Sequence, residues 1–69
     1  MNIIEKLRSM DHALTVKELA SLLTLGKTAL YDLVRRGAIP HFRVGYMVRF
    51  DPNEIANWIQ GRRLPPIGK

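Results

Sequence analysis

Apolar side chains recur every three or four residues in two short segments of the chain. The first segment, residues 16–23, carries Leu19, Leu22 and Leu23. The second segment, residues 27–36, carries Leu30, Leu33 and Val34. This spacing places each set on one face of a helix. Because only Thr24-Leu25-Gly26 separates the two predicted helices, we expect them to cross rather than to lie side by side.

Local signals mark the ends of these helices. Thr15 and Glu18 form a capping box, in which the Thr15 hydroxyl accepts from the Glu18 amide while the Glu18 carboxylate reaches back. Gly37 is placed to end the second helix in the left-handed conformation, and Pro40 prevents any continuation. The sequence therefore predicts where the first of these helices begins and where the second ends.

Residues 41–50 alternate between apolar and polar in the manner of a β-hairpin. Two four-residue segments bracket Gly45-Tyr46, where Gly45 supplies the positive φ of a tight turn. The alternation predicts that four side chains face the core, namely Phe42, Val44, Val48 and Phe50. The intervening side chains are then expected to point outward, namely His41, Arg43, Met47 and Arg49.

The flanking segments give weaker signals. Residues 2–10 are expected either to form a short helix or to fray. Residues 51–54 predict a second capping box, with Pro52 at the first position of a third helix that ends at Gly61. Trp58 in that helix is expected in the core. Residues 62–69 are expected to be a non-helical, flexible basic tail.

The charge is unevenly distributed. Residues 1–34 hold four cationic and four anionic side chains, whereas residues 35–69 hold seven cationic and two anionic ones, so the whole net charge of +5 lies in the second half. Six of those seven cations are arginines, whose forked guanidinium suits phosphate and guanine. This clustering favours a nucleic acid as the partner, and a basic surface kept for solubility is the alternative.

Other functional classes find little support in the composition. There is no cysteine, and His12 and His41 lie in different predicted elements, so no metal or other cofactor is expected. The five glycines are spread as turn residues, and no nucleophile–base pair is evident, so we expect no enzyme activity. Without an apolar stretch of about 20 residues or a signal peptide, we expect a cytoplasmic, nucleoid-associated protein.

Five ordered segments resemble the excisionase-type helix-turn-helix family, a minimal relative of the MerR-type winged-helix domains: residues 14–20, 29–40, 43–45, 48–50 and 56–59. The resemblance implies a mainly α fold with a small β-hairpin. It is a winged helix-turn-helix with three to four short helices and a two-stranded wing. It implies that residues 27–36 enter the major groove of duplex DNA, while the wing, residues 41–50, lies on the backbone or in the minor groove. The chain then divides into an N-terminal segment 1–12, the domain 13–60 and the tail 61–69.

Three features depart from that family's pattern. Thr24 stands where glycine is common, and Gly26 replaces the side-chain cap of the second helix. Asp32 stands where relatives often carry a basic residue, and it is expected either to pair with Arg35 or Arg36 or to accept from a cytosine amino group. The Tyr46-Met47 wing tip is less basic than is usual.

The candidate DNA-contacting residues come from the second helix, the wing and the tail. They are Lys27, Thr28, Tyr31, Asp32, Arg35, Arg36, Arg43, Tyr46, Arg49, Arg62 and Arg63. Ordinary structural roles compete with several of them: Tyr31 is also suited to half-buried packing, and Arg35 to offsetting the helix dipole. The tail arginines add electrostatic attraction without sequence information, or only solubility.

The resemblance implies a recombination directionality factor with an integrase or recombinase as its partner. A small transcriptional regulator of the same fold and an integrase-docking interaction module are the alternatives. RNA binding is disfavoured because no aromatic cluster is expected on an exposed sheet. One small module makes a small interface and would bind DNA weakly alone. We therefore expect cooperative self-association on DNA.

Overall fold

The computed structural model describes residues 2–62, in which four helices surround a small antiparallel sheet. The helices are α1 (Ile3–Arg8), α2 (Val16–Leu23), α3 (Lys27–Arg35) and α4 (Pro52–Arg62). The strands are β1 (Leu14–Thr15), β2 (Phe42–Val44) and β3 (Met47–Phe50). The predicted fold class, mainly helical with a small hairpin, is confirmed.

One core joins all of these elements except β2. Its fully buried large side chains come from helices and strands alike: Leu7, Leu14, Leu19, Leu30, Phe50 and Ile55. Helix α1 forms on a capping box in which the Glu5 amide donates to Asn2 Oδ1 over 2.8 Å. It packs against α4, where the Arg8 guanidinium donates to Asn57 Oδ1 over 2.7 Å. The N-terminal segment is therefore an integral layer of the fold.

The turn between α2 and α3 contains a strained residue. The predicted Thr15–Glu18 capping box begins α2, with the Glu18 amide donating to Thr15 Oγ1 over 3.0 Å. Helix α2 ends at Leu23 and is followed by Thr24, whose φ of 57° is left-handed, a conformation in which a β-branched residue is a genuine outlier. Gly26 then begins α3 without a side-chain cap, as the sequence predicted.

The end of α3 follows the predicted glycine signal. Gly37 has φ 68°, its amide donates to the Val34 carbonyl over 3.0 Å, and the Ala38 amide donates to the Leu33 carbonyl over 2.9 Å. This pair of bonds is the Schellman motif, which satisfies carbonyls that the helix leaves free. The chain is thereby turned towards the hairpin.

The sheet has one strand more than the two-stranded wing that was predicted. Its order is β1-β3-β2, and β1 pairs Leu14 with Phe50 and Thr15 with Arg49. Two residues are too few to show a strand period in the sequence. Thr15 consequently belongs to the sheet through its backbone and to α2 through its side chain.

The predicted core face of the hairpin was wrong for β2. Val48 and Phe50 are buried, but Phe42 and Val44 are 41% and 52% exposed. The reason is the two-residue turn, which sets Val44 directly opposite Met47. Opposed residues share a face and successive residues alternate, so Val44 and Val48 lie on opposite faces of the ribbon. Arg43, opposite Val48, and Arg49, opposite Phe42, likewise lie on opposite faces rather than on one.

Helix α4 differs from its prediction at both ends. Asp51 Oδ1 accepts from the Asn53 amide over 2.8 Å, so the cap bonds the second helical residue instead of Glu54. Gly61 lies inside the helix, and Arg62 is helical rather than part of a tail. The guanidinium of Arg62 stacks 4.8 Å from the ring centre of Trp58, one turn earlier, which favours this extra turn. Residues 63–69, including Arg63, lie outside the described part of the chain.

Candidate nucleic-acid interface

A groove of about 770 Å³ separates α3 from the hairpin. Its lining comes from α2, α3 and the hairpin strands: Thr15, Val16, Lys17, Lys27, Tyr31, Val34, Arg35, Arg43, Tyr46, Met47, Val48 and Arg49. Five of these side chains are cationic and none is a carboxylate. The groove is therefore a positively charged concavity on a small, basic chain.

Helix α3 supplies Lys27, Tyr31 and Arg35, which succeed one another at intervals of four residues. This spacing puts them in one row along the helix, while Leu30 and Val34 are buried on the core side. Tyr31 lines the groove and is 47% exposed, so about half of its surface is open to solvent. The row begins at the amino end of the helix, where the backbone dipole also favours negative charge.

The hairpin supplies Arg43, Tyr46 and Arg49. Arg43 is exposed and has no ion-pair partner among residues 2–62, and Tyr46 at the tip is 88% exposed. Arg49 is turned back on its own strand, where Nη1 donates to the Val48 carbonyl over 2.8 Å. Of the two wing arginines, Arg43 is therefore the one presented to an incoming ligand.

Sequence reasoning missed the contribution of α2. Lys17 is exposed at the second position of that helix and lines the groove with Thr15 and Val16. The charges of residues 1–34 sum to zero, and that sum does not show on which face of α2 the cation of Lys17 lies. The missing information was β1, which holds the amino end of α2 against the hairpin.

Several predicted site residues lie outside the groove lining, namely Thr28, Asp32, Arg36 and Arg62. The Asp32 carboxylate pairs with both neighbouring arginines, at 2.7 Å from Arg35 Nη2 and 2.9 Å from Arg36 Nε. Pairing was one of the two expectations for Asp32, and it holds in the free protein. Arg62 is occupied by its stack on Trp58.

The two histidines and Trp58 have structural partners. His12 Nδ1 lies 3.3 Å from Asp11 Oδ1 and Nε2 lies 3.5 Å from Glu18 Oε2, so hydrogen bonds to Asp11 and then Glu18 raise the pKa of His12. The Thr15 backbone amide, followed by His12, lowers the pKa of Glu18. The other ring, His41, donates from Nδ1 to a backbone carbonyl 2.9 Å away. Trp58 donates from Nε1 to the Ala38 carbonyl over 2.9 Å.

Residues 2–62 contain neither a metal-binding cluster nor a membrane-spanning helix. No cluster of three or more histidine and carboxylate side chains is arranged to hold a metal ion there. No helix in this part of the chain is long and apolar enough to cross a bilayer.

Comparison with known proteins decides the family. A family model described as "Helix-turn-helix domain" matches residues 13–63, well over half of the chain. The chain belongs to this helix-turn-helix family. The match begins just before β1 and includes α2, the strained turn, α3, the hairpin and α4, but leaves α1 outside. In the helix-turn-helix motif the second helix is the one that reads DNA. That position corresponds to α3, which makes the molecule a helix-turn-helix DNA-binding domain.

One curated relative is a much longer protein that resembles this chain over a small part of its length. The uncharacterized protein YvgK of Bacillus subtilis strain 168 is 34% identical over 50 residues, which are 72% of this chain. The chain spans only 16% of the length of YvgK. No solved structure gives a significant match.

Proposed function

We propose that this helix-turn-helix domain binds duplex DNA in a sequence-specific manner, with α3 in the major groove and the hairpin on the backbone or in the minor groove. The observation that carries the proposal is the groove between these two elements, whose lining has five cationic side chains and no carboxylate. A surface of that sign and shape attracts the phosphate backbone, which supplies the sequence-independent part of the affinity.

The dimensions of α3 suit the major groove. An α-helix with its side chains is about 10–12 Å in diameter, and the major groove of B-DNA is about 12 Å wide. Lys27 at the amino end of α3 would contact phosphate, while Tyr31 and Arg35 follow in the same row towards the base edges. An arginine that reaches guanine O6 and N7 gives the commonest specific contact in such complexes.

The hairpin would add a second contact beside α3. Arg43 would contact phosphate, and Lys17 at the amino end of α2 provides a further cation in the groove lining. Tyr46 places an exposed aromatic ring, rather than a cation, at the tip. We expect the tip to lie against the sugar-phosphate surface rather than to insert a charge deep into the minor groove.

Salt dependence and a matched pair of variants test the proposal. Lys27→Ala and Arg43→Ala should each weaken binding to DNA, and each should reduce the slope of log K against log salt by about 0.9. Lys6→Ala is the matched control, because Lys6 is equally a solvent-exposed cation but lies on α1, away from the groove. Fluorescence anisotropy with a labelled duplex gives both quantities. Equal effects of Lys6→Ala and Lys27→Ala would refute this placement of the interface.

Sequence specificity needs its own test. A DNA site selected by the wild-type protein from a random pool should lose most of its preference when Arg35 is replaced by alanine. Competition between the selected site and a shuffled duplex measures that preference directly. An Arg35→Ala protein that keeps the full preference would refute the assignment of Arg35 as the base-reading residue.

For the cellular role, we propose a recombination directionality factor acting with an integrase, on the resemblance of residues 13–60 to excisionase-type domains. A small transcriptional regulator is the alternative. Since a single module buries only about 600–1,000 Å² on DNA, cooperative occupation of adjacent sites is expected in either role. An excision assay with the integrase encoded nearest to this protein separates the roles. Stimulation of excision supports the first, and repression of a promoter without any effect on excision supports the second.

A further inference from the structure

The acidic residue on the recognition helix is the feature that DNA binding alone does not explain. Asp32 carries the only carboxylate of α3, and its side chain is 42% exposed. Each of its two oxygens holds a different guanidinium, Arg35 at 2.7 Å and Arg36 at 2.9 Å. One of these partners, Arg35, also lines the DNA-facing groove.

We propose that Asp32 is a specificity-determining residue, which restrains Arg35 and Arg36 from binding phosphate and so weakens non-specific binding. This inference rests on the proposed function and assigns a role to a residue outside the groove lining. The Asp32 carboxylate offers two anionic oxygens to the arginines, as a DNA phosphate does. It is therefore an internal competitor for the same donors.

The exposure of the three side chains makes this competition reversible. The side chains of Arg35 and Arg36 are 73% and 61% exposed, and ion pairs at such sites are individually weak. Displacement of Asp32 by a phosphate in a random sequence gains little free energy, since the arginine exchanges one carboxylate contact for one phosphate contact. A correct base pair offers Arg35 a bidentate contact that the carboxylate does not duplicate, so it gains more.

The restraint should appear as a difference between random and cognate DNA. In Asp32→Asn the two arginines lose their internal partner and become available to any phosphate. We expect binding to a random-sequence 20-base-pair duplex to tighten about fivefold, the factor that one unit-charge contact at about 4 Å in water is worth. The slope of log K against log salt should steepen by about 0.9 for each arginine released. Affinity for the site selected by the wild type should change less, so the specificity ratio falls.

Two variants serve as controls. Asp11→Asn removes the same charge from an exposed loop outside the groove, so it reports the effect of net charge alone. Asp32→Glu keeps a carboxylate on the same helical face and should behave like the wild type. Because Asp32 is not buried, circular dichroism should show all three variants folded.

The experiment is an anisotropy titration of the wild type and these three variants on the random duplex and on the selected site, at several salt concentrations. Tighter random-duplex binding by Asp32→Asn alone supports the proposal. Equal effects of Asp32→Asn and Asp11→Asn, or weaker binding by Asp32→Asn, overturn it while leaving the DNA-binding proposal intact. Failure of the wild type to bind any duplex would instead refute the proposed function, and this inference with it.

Discussion

Replacing Thr24 with glycine should stabilise the domain. Thr24 follows α2 with φ 57° and ψ 42°, in the left-handed region. An L-residue with a Cβ pays about 1–2 kcal/mol there, because the Cβ approaches the following carbonyl oxygen. Glycine avoids this cost but loses about 0.5–1 kcal/mol through the greater freedom of its unfolded chain. The net expectation is a gain of about 0.5–1 kcal/mol in the free energy of unfolding.

Thermal denaturation followed by circular dichroism measures this effect. For a domain of this size, the expected gain raises Tm by about 2–8 °C. Thr28→Gly is the matched control, because Thr28 is an equally exposed threonine that lies inside α3 with ordinary helical geometry. There the same replacement should lower Tm, since glycine is a poor helix former. A Thr24→Gly protein that melts at or below the wild-type temperature would refute the reasoning.

Four further predictions concern the fold. Val44→Thr should leave Tm almost unchanged whereas Val48→Thr should lower it by several degrees, because only Val48 is buried; equal losses would contradict the hairpin register. Trp58→Phe should cost about 1 kcal/mol in urea denaturation, because it removes the hydrogen bond from the indole to the loop after α3. The raised pKa of His12 means that its stabilising contribution is present below pH 6.5 and is lost as the pH rises through the folded-state pKa. Thermal melts of a His12→Gln variant that match those of the wild type from pH 5.5 to 8 would contradict this prediction for His12. The lowered pKa of Glu18 gives a stabilising contribution that is present above pH 4.5 and is lost as the pH falls through the folded-state pKa.

Local signals in the sequence were sufficient to predict the central helix pair. The Thr15–Glu18 capping box and the Gly37 terminator involve residues only a few positions apart, so their chemistry can be recognised without the fold. The pairing of Asp32 with Arg35 and Arg36 is predictable for the same reason, since helical spacing alone brings these residues together.

Features that depend on contacts between distant segments could not be predicted in this way. Strand β1 exists only because Leu14 meets Phe50, and the groove position of Lys17 follows from that pairing. The extension of α4 past Gly61 was likewise missed, because a glycine signal was weighed without the Arg62–Trp58 stack. The hairpin face is a different case: the two-residue turn already implied that Val44 and Val48 lie on opposite sides.

Thr15 links two parts of the domain that would otherwise be able to move separately. Its backbone pairs with Arg49 in the sheet, and its side chain caps α2. Movement of the hairpin relative to the helix pair would therefore have to break the backbone pairing with Arg49 or the cap of α2. The fold therefore holds the separation between α3 and the hairpin, and a duplex must match that separation by its own groove width and curvature. We expect the mechanical properties of the DNA, as well as its base sequence, to decide which sites this protein occupies.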